Sequence, residues 1–284
     1  MARSTFTVLA AQARPVPWDA EATLEKLERS VRMWRRTVPH VDLYLFPELY
    51  LAGEDPWTPG PPDHARRVAE PVPGPLTERL SRLARSVGRW LCPGSIVERA
   101  GRRLHNTALV FDPEGRLVAR YRKVFPWKPY EELDRGTEPP PVFEIPGVGR
   151  AGVMICYDGW FPEMARSLAF RGAEVILHPT LTTTADREQE LVLARANAIV
   201  NQCYVVNVNA VPSVGGGRSI GVDPHGRVLF ELGYEEGFAI ETLDLTLVRD
   251  AREHGSRGLS RVLAHAAEAP PGIFRAARPP RAGR

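Results

Sequence analysis

At 284 residues, 43% hydrophobic and 25% charged, the chain has ordinary globular composition. A chain of this length buries about three quarters of its unfolded surface, enough for one large core, and no composition break marks a linker. The formal net charge is +3, with Arg275, Arg278, Arg281 and Arg284 in the last ten residues, so the body is near neutral and lacks the basic stripe that nucleic-acid binding requires.

Apolar runs fall well short of the roughly 20 residues of a membrane span, and Phe6 to Ala11 is too short and too weakly flanked for a secretory signal. The three cysteines, Cys92, Cys156 and Cys203, are an odd number in a chain that needs no staples. Free thiols in a reducing, cytoplasmic compartment are therefore expected. Lysine is scarce: Lys26, Lys123 and Lys128 stand among 37 basic residues, so a lysine inside a motif invites inspection.

In chain order, FTVLAAQ from Phe6 reads as a buried strand, and Ala20 to Arg36 carries Leu24, Leu27, Val31 and Trp34 at helical spacing. LYLFPE (43–48) is a second strand. After a long Pro/Gly-rich loop comes a helix with Leu76, Leu80, Leu83 and Val87 on one face, then a strand around Ile96. This alternation predicts α/β architecture with helices covering sheet faces. ALVFDPEGRLVARYRKV predicts a hairpin, and SIGVDPHGRVLFEL (219–232) predicts another around the same DPxGR turn. The repeat hints at two similar halves, although DPxG is also simply a good turn sequence. Between the hairpins lie GVMIC (152–156) with a helix from about Pro162, and EVILHP (174–179) with a helix from about Asp186 to Gln202. The strand CYVVNVN follows. Residues 271–284 read as a basic, Pro/Arg-rich, poorly ordered tail beyond a domain spanning 1–270.

Cys156 ends an apolar strand just before a helix, with Asp158 as a candidate N-cap and Pro162 near the first helical position. A thiol placed there can be ionised by the helix terminus, whose N–H groups also bind an oxyanion. A lone cysteine can equally fill core, the reading kept for Cys92 and Cys203. Glu48 ends the apolar run LYLFP, where desolvation raises a carboxylate toward a useful general base; taken alone it is also a plain loop residue. Lys123 ends the strand leaving the first hairpin, where a solvated charge is the ordinary reading. All three stand at carboxyl ends of predicted strands, where ligand sites of α/β folds gather.

With FPELYLAG around Glu48, YRKVFPW around Lys123 and GVMICYDGWFPEMARSLAFRGAEVILHPT around Cys156, the chain resembles the nitrilase superfamily of carbon-nitrogen hydrolases, over roughly Phe6 to Asp250. The resemblance implies a four-layer α-β-β-α sandwich and subunits that pair through helices into a homodimer or higher homo-oligomer. It implies Cys156 as nucleophile, Glu48 as general base and Lys123 as cationic stabiliser of the tetrahedral intermediate, with the Tyr157 N–H as a second donor. No metal or organic cofactor is implied. A second glutamate beyond the lysine fits Glu131, with Glu132 as substitute. Trp127, Tyr157, Trp160 and His178 flank the blocks and are candidate substrate-binding residues, although aromatics near a core are often packing.

Nitrilases often carry Cys-Trp-Glu where this chain has Cys156-Tyr157-Asp158, which shifts the expectation from nitriles to amides. KVFPWKPYEELDRG resembles aliphatic amidases and formamidases. The implied reaction is hydrolysis of a small linear amide to carboxylic acid and ammonia. An N-carbamoyl amine amidohydrolase is the alternative, ahead of a nitrilase, an acyltransferase or a non-catalytic scaffold.

Overall fold

The computed structural model describes residues 4–255 and 258–270, so the expected tail, 271–284, lies outside the described residues. The first sheet contains β1 (Thr5–Gln12), β2 (Leu43–Leu45), β3 (Trp90–Cys92), β4 (Ser95–Ala100), β5 (Arg103–Phe111) and β6 (Leu117–Arg122). The second contains β7 (Val142–Ile145), β8 (Gly149–Val153), β9 (Val175–Thr180), β10 (Tyr204–Asn209), β11 (Ile220–Val222) and β12 (Val228–Glu231). β13 (Gly237–Asp244) returns to the first sheet, which runs β13-β1-β2-β3-β5-β4 with β6 on β5; the second runs β12-β11-β10-β9-β8-β7. Pairing is parallel within β1-β2-β3 and within β8-β9-β10.

Strand alternation assigns the layers. Phe6, Val8 and Ala10 share a core with Val153, Val175 and Val205 of the other sheet, and Trp90 stacks on Phe143 across the gap at 5.6 Å. Leu9 and Ala11, on the opposite face of β1, pack with Leu27 and Val31 of α1 (Ala20–Thr37) and with Leu80 and Leu83, which follow α2 (His64–Val68) on α3 (Pro75–Val87). Helices α4 (Pro162–Phe170) and α5 (Arg187–Asn201) cover the second sheet through Leu168, Leu191 and Ala198. The layers are therefore α, β, β and α, as the resemblance implied. The helical period of α1 is realised as read, with Leu24, Leu27, Val31 and Trp34 buried and Asp19 accepting the Ala22 N–H at 2.9 Å. Leu27→Ala would cost about 2–5 kcal/mol by the usual scale for such truncations. Beyond the sandwich lie α6 (Thr246–His254) and α7 (Val262–Ala267).

The two DPxGR turns are alike in their hydrogen bonds. Asp112 Oδ1 accepts from Glu114 and Arg116 N–H groups, and Asp223 Oδ1 accepts from His225 and Arg227. Each turn has a glycine in left-handed conformation, Gly115 at φ 79° and Gly226 at φ 82°. They close β5-β6 and β11-β12, one hairpin in each sheet. The strand around Ile96 is β4, and Pro93 and Gly94 divide it from β3, the apolar strand that ends at Cys92. A Cβ on Gly94 would stand 1.6 Å from the Pro47 carbonyl oxygen, so only glycine lets β4 begin against the loop that carries Glu48.

Candidate active site

Three loops leaving strand ends converge. Glu48 lies three residues beyond β2, its N–H on Thr180 O at 3.3 Å, which joins the first sheet's loop to the end of β9. Leu49 turns the chain at φ 47° and donates to Ser95 Oγ at 2.9 Å. Lys123 directly follows β6; its N–H bonds Asn106 O at 2.8 Å and its carbonyl accepts from Gly136 at 2.7 Å, so the backbone beneath the ammonium is held on both sides. Cys156 opens a short 3-10 turn, Cys156–Trp160, at φ 44°. A non-glycine residue there is uncommon and persists where its surroundings over-determine it.

The charged groups meet in the buried interior. Lys123 Nζ lies 2.7 Å from Glu48 Oε1 and 2.6 Å from Glu131 Oε2. Glu131, and not the exposed Glu132, makes this contact, and the Trp127 N–H holds Glu131 Oε2 at 2.9 Å. Asn106, which the sequence reading left unassigned, donates from Nδ2 to Glu48 Oε1 at 2.7 Å and to Glu131 Oε1 at 2.9 Å. Its one signal in the sequence is the polar run His105-Asn106-Thr107 ahead of the apolar Ala108 to Phe111 of β5. Thr182 is a second such residue: its Oγ1 lies 3.8 Å from Cys156 Sγ, and the Asn209 side chain binds both its N–H and its C=O.

Electrostatics differentiates the groups. Burial raises the Glu48 carboxyl, Lys123 opposes this and the charge of Glu131 adds to it. Burial pushes Glu131 up as well, but the Lys123 charge and hydrogen bond, with the N–H groups of Trp127 and Asn106, hold it below its ordinary value. For Lys123, burial favours the neutral amine, yet Glu48, Cys156 and Glu131 together hold it well above the lysine range. Burial and then Glu48 raise the Cys156 thiol, with Lys123 opposing. The resting site therefore has a thiol, a basic carboxylate, a fixed ammonium and a fixed carboxylate. A third carboxyl group joins them: half-buried Glu54 is raised to about 7 by burial and then by the charges of Glu131 and Glu48. Its carboxyl has no hydrogen-bond or ion-pair partner among the described residues.

Asp158 departs from its expected role as N-cap of α4; Phe161 occupies that position. Asp158 is instead fully buried and accepts from Tyr121 Oη at 2.8 Å, Phe125 N at 3.0 Å and Ile155 N at 3.1 Å, tying the nucleophile turn to the lysine loop. Phe125 and Phe161 stack across the same junction at 3.6 Å. Of the expected pocket residues, Tyr157 and Trp160 lie half-buried on the nucleophile turn, their rings 6.0 Å apart. Trp127 is partly exposed and stacks on Tyr130 at 4.9 Å, contributing its backbone N–H to the site. His178 is buried behind Cys156, both ring nitrogens engaged by the Cys156 carbonyl and the Asn207 amide, which does not match a substrate contact. Cys92 and Cys203 are core thiols, each pushed up to about 12 by burial.

Among the described residues no cluster of His, Cys, Asp and Glu is arranged to hold a metal ion. A groove of about 550 Å³ lined by Phe6, Trp90, Asp112, Arg116, Glu144 and Pro146 lies at the amino ends of the parallel strands, away from the charged centre.

The carbon-nitrogen hydrolase family model matches residues 7–253. A formamidase of Bacillus thuringiensis is 31% identical over 195 residues, 67% of this chain and 57% of the formamidase, so the chain spans little more than half the length of that curated relative. Among solved structures, Nit3 of Saccharomyces cerevisiae, a member of branch 10 of the nitrilase superfamily, superposes with TM-score 0.77 at 27% identity, covering 88% of this chain and 94% of that one. An amidase from Nesterenkonia sp. superposes with TM-score 0.75 at 28% identity, covering 90% and 97%. A mutant of that amidase in complex with butyramide gives TM-score 0.71 at 27% identity, covering 91% and 97%.

Proposed function

The chain belongs to the carbon-nitrogen hydrolase family, and on that premise we propose that it hydrolyses small linear amides to carboxylic acid and ammonia by cysteine catalysis. The observation that carries the reading is Lys123 Nζ held between Glu48 and Glu131, beside Cys156 on its left-handed turn. An amide carbonyl resists attack, so the thiol transfers its proton to Glu48 as sulfur bonds to carbon. Lys123 and the Tyr157 N–H take the charge that develops on oxygen. Glu48 then returns the proton to the leaving nitrogen, which departs as ammonia and leaves an acyl thioester. Water, deprotonated by the same carboxylate, attacks the thioester, releasing the acid and restoring the thiol. The name of the formamidase relative and the butyramide bound to the amidase favour short unbranched acyl groups.

Charge narrows the substrate. Arg122 is committed to Glu98, and Arg166 lies on α4 beyond the Cys156 turn, its guanidinium 5.6 Å from the exposed Phe170 ring on the outer helical layer, so neither is placed to clamp a substrate carboxylate. Glu54 adds negative potential to a centre that already holds two carboxylates. Neutral or cationic short amides are therefore preferred over anionic ones, N-carbamoyl amino acids included; neutral N-carbamoyl amines remain the alternative substrate. Ammonia release over short amides, ω-amides, N-carbamoyl amines and nitriles tests the proposal, and activity confined to nitriles or carbamoyl compounds would reject it.

Phe170 of α4 and Val192, Ile199 and Val200 of α5 are exposed on the outer helical layer. That apolar set supports pairing of two copies through these helices. No described helix is long and apolar enough to cross a membrane, and all three cysteines are free, which supports a reducing, cytoplasmic setting.

A further inference from the structure

A chain of buried polar groups runs from the Cys156 carbonyl to an ion pair on α5. His178 Nε2 lies 2.9 Å from Cys156 O, and His178 Nδ1 lies 3.0 Å from Asn207 Nδ2. Asn207 Oδ1 accepts from Arg187 Nη2 at 2.8 Å, and Arg187 Nη1 pairs with Glu190 Oε2 at 2.5 Å. His178, Asn207, Arg187 and Glu190 are all buried.

The chemistry of these groups fixes the direction of every bond. Arginine has donors only, so the Asn207 oxygen faces Arg187 and its amide nitrogen faces the imidazole. Nδ1 must then be the acceptor nitrogen, which places the ring proton on Nε2 and makes His178 a donor to the Cys156 carbonyl. Burial favours the neutral ring that this tautomer needs. Space for the ring comes from the nucleophile turn itself: a Cβ on Gly159 would stand 2.5 Å from His178 Cε1. The pairing of β9 with β10 sets His178 opposite Asn207.

The bond acts on a rigid unit. The peptide joining Cys156 to Tyr157 is planar and trans, so its C=O and N–H point in opposite directions. Drawing the oxygen back toward His178 turns the Tyr157 N–H forward, and among the described residues no backbone carbonyl takes that N–H. We infer that His178 is a positioning residue, polarised by Asn207 and Arg187, which clamps the Cys156–Tyr157 peptide so that its N–H is aimed at the oxyanion. The inference rests on the amidase reading above and assigns its second oxyanion donor a support on β9, the strand that pairs with β8 in the same sheet.

The experiment compares wild type with His178→Met, which removes the donor at similar volume, and His178→Gln, which keeps an N–H at similar reach. Wild-type turnover of the best amide checks the amidase reading by itself. Two rates are then measured on each protein: amide turnover, which builds an oxyanion, and alkylation of Cys156 by iodoacetamide, which displaces iodide without building one. We expect His178→Met to lower kcat by about 10²-fold, the scale of losing one oxyanion donor, with KM and alkylation within about threefold of wild type and His178→Gln restoring most of kcat. Equal losses of turnover and alkylation in the methionine variant, or unchanged kcat, would overturn the inference. Should that variant not fold, Asn207→Ala, which removes the amide that sets the tautomer, is read in the same way: selective loss of turnover supports the clamp, and parallel or absent loss rejects it.

Discussion

Glu48 and Glu131 grip the same ammonium from two sides, 2.7 and 2.6 Å from Lys123 Nζ, and share the Asn106 amide nitrogen at 2.7 and 2.9 Å. The symmetry of contact hides an asymmetry of acidity. Glu131 has an additional backbone donor in Trp127 and is held down, whereas Glu48 is pushed up by burial and by the charge of Glu131. In the proposed mechanism the carboxylate that takes the proton is the one whose surroundings favour protonation.

The nucleophile is tested first. Cys156→Ala and Cys156→Ser are expected to lose at least ~100-fold in kcat, because the nucleophile is removed or replaced by a hydroxyl too weakly acidic for Glu48 to ionise. Cys92→Ala and Cys203→Ala remove core thiols and should stay active with a modestly lower Tm. Steady-state ammonia release on the four variants, with circular dichroism to confirm folding, distinguishes the roles. Retention of activity in a Cys156 variant would reassign the nucleophile.

Lys123→Arg is a sharper probe in a chain that otherwise uses arginine for nearly every cation. The space between two carboxylates at 2.7 and 2.6 Å suits a compact ammonium, and the planar guanidinium fits neither that gap nor a single oxyanion. A loss of about 10² to 10³ in kcat is expected, and near-normal turnover would remove Lys123 from the mechanism.

Charge discrimination should depend on pH through Glu54. Its carboxyl is raised to about 7, mainly by burial, so it is largely neutral at pH 6 and largely anionic at pH 8. The ratio of kcat/KM for a neutral amide over an anionic amide of equal length should therefore rise with pH across this window. Glu54→Gln should flatten the ratio and raise activity on the anionic member several-fold. A ratio unchanged by pH and by the substitution would show that Glu54 does not face the substrate.

Assembly can be tested on α5. Val192→Asp combined with Ile199→Asp places two charges on an exposed apolar face, where burial without partners is strongly unfavourable. Light scattering should show the wild type as a dimer or larger and the variant as a smaller species. Identical masses would place the subunit contact elsewhere.

Much of this protein is written locally in its chain. The 3.6-residue period of Leu24, Leu27, Val31 and Trp34, the two DPxGR turns and the strand-end positions of Glu48, Lys123 and Cys156 are properties of short segments, and each can be read without knowing what lies opposite. Asn106, Asp158 and His178 could not be assigned in that way, because their partners are distant in sequence and near only in space, and the burial that raises Glu54 is likewise a property of the folded chain. Asn106 reaches Glu48 across 58 residues, Asp158 meets Tyr121 across 37, and His178 meets Asn207 across 29 through the register of two parallel strands. A short polar side chain near a helix start reads as a cap, as Asp158 did, until the fold supplies three buried donors that compete for it. Sequence determined which groups could do the chemistry; the register and stacking of two sheets decided which buried polar residues hold those groups in place, because an unpaired polar group in the interior is costly and must find whatever partner the tertiary structure brings to it.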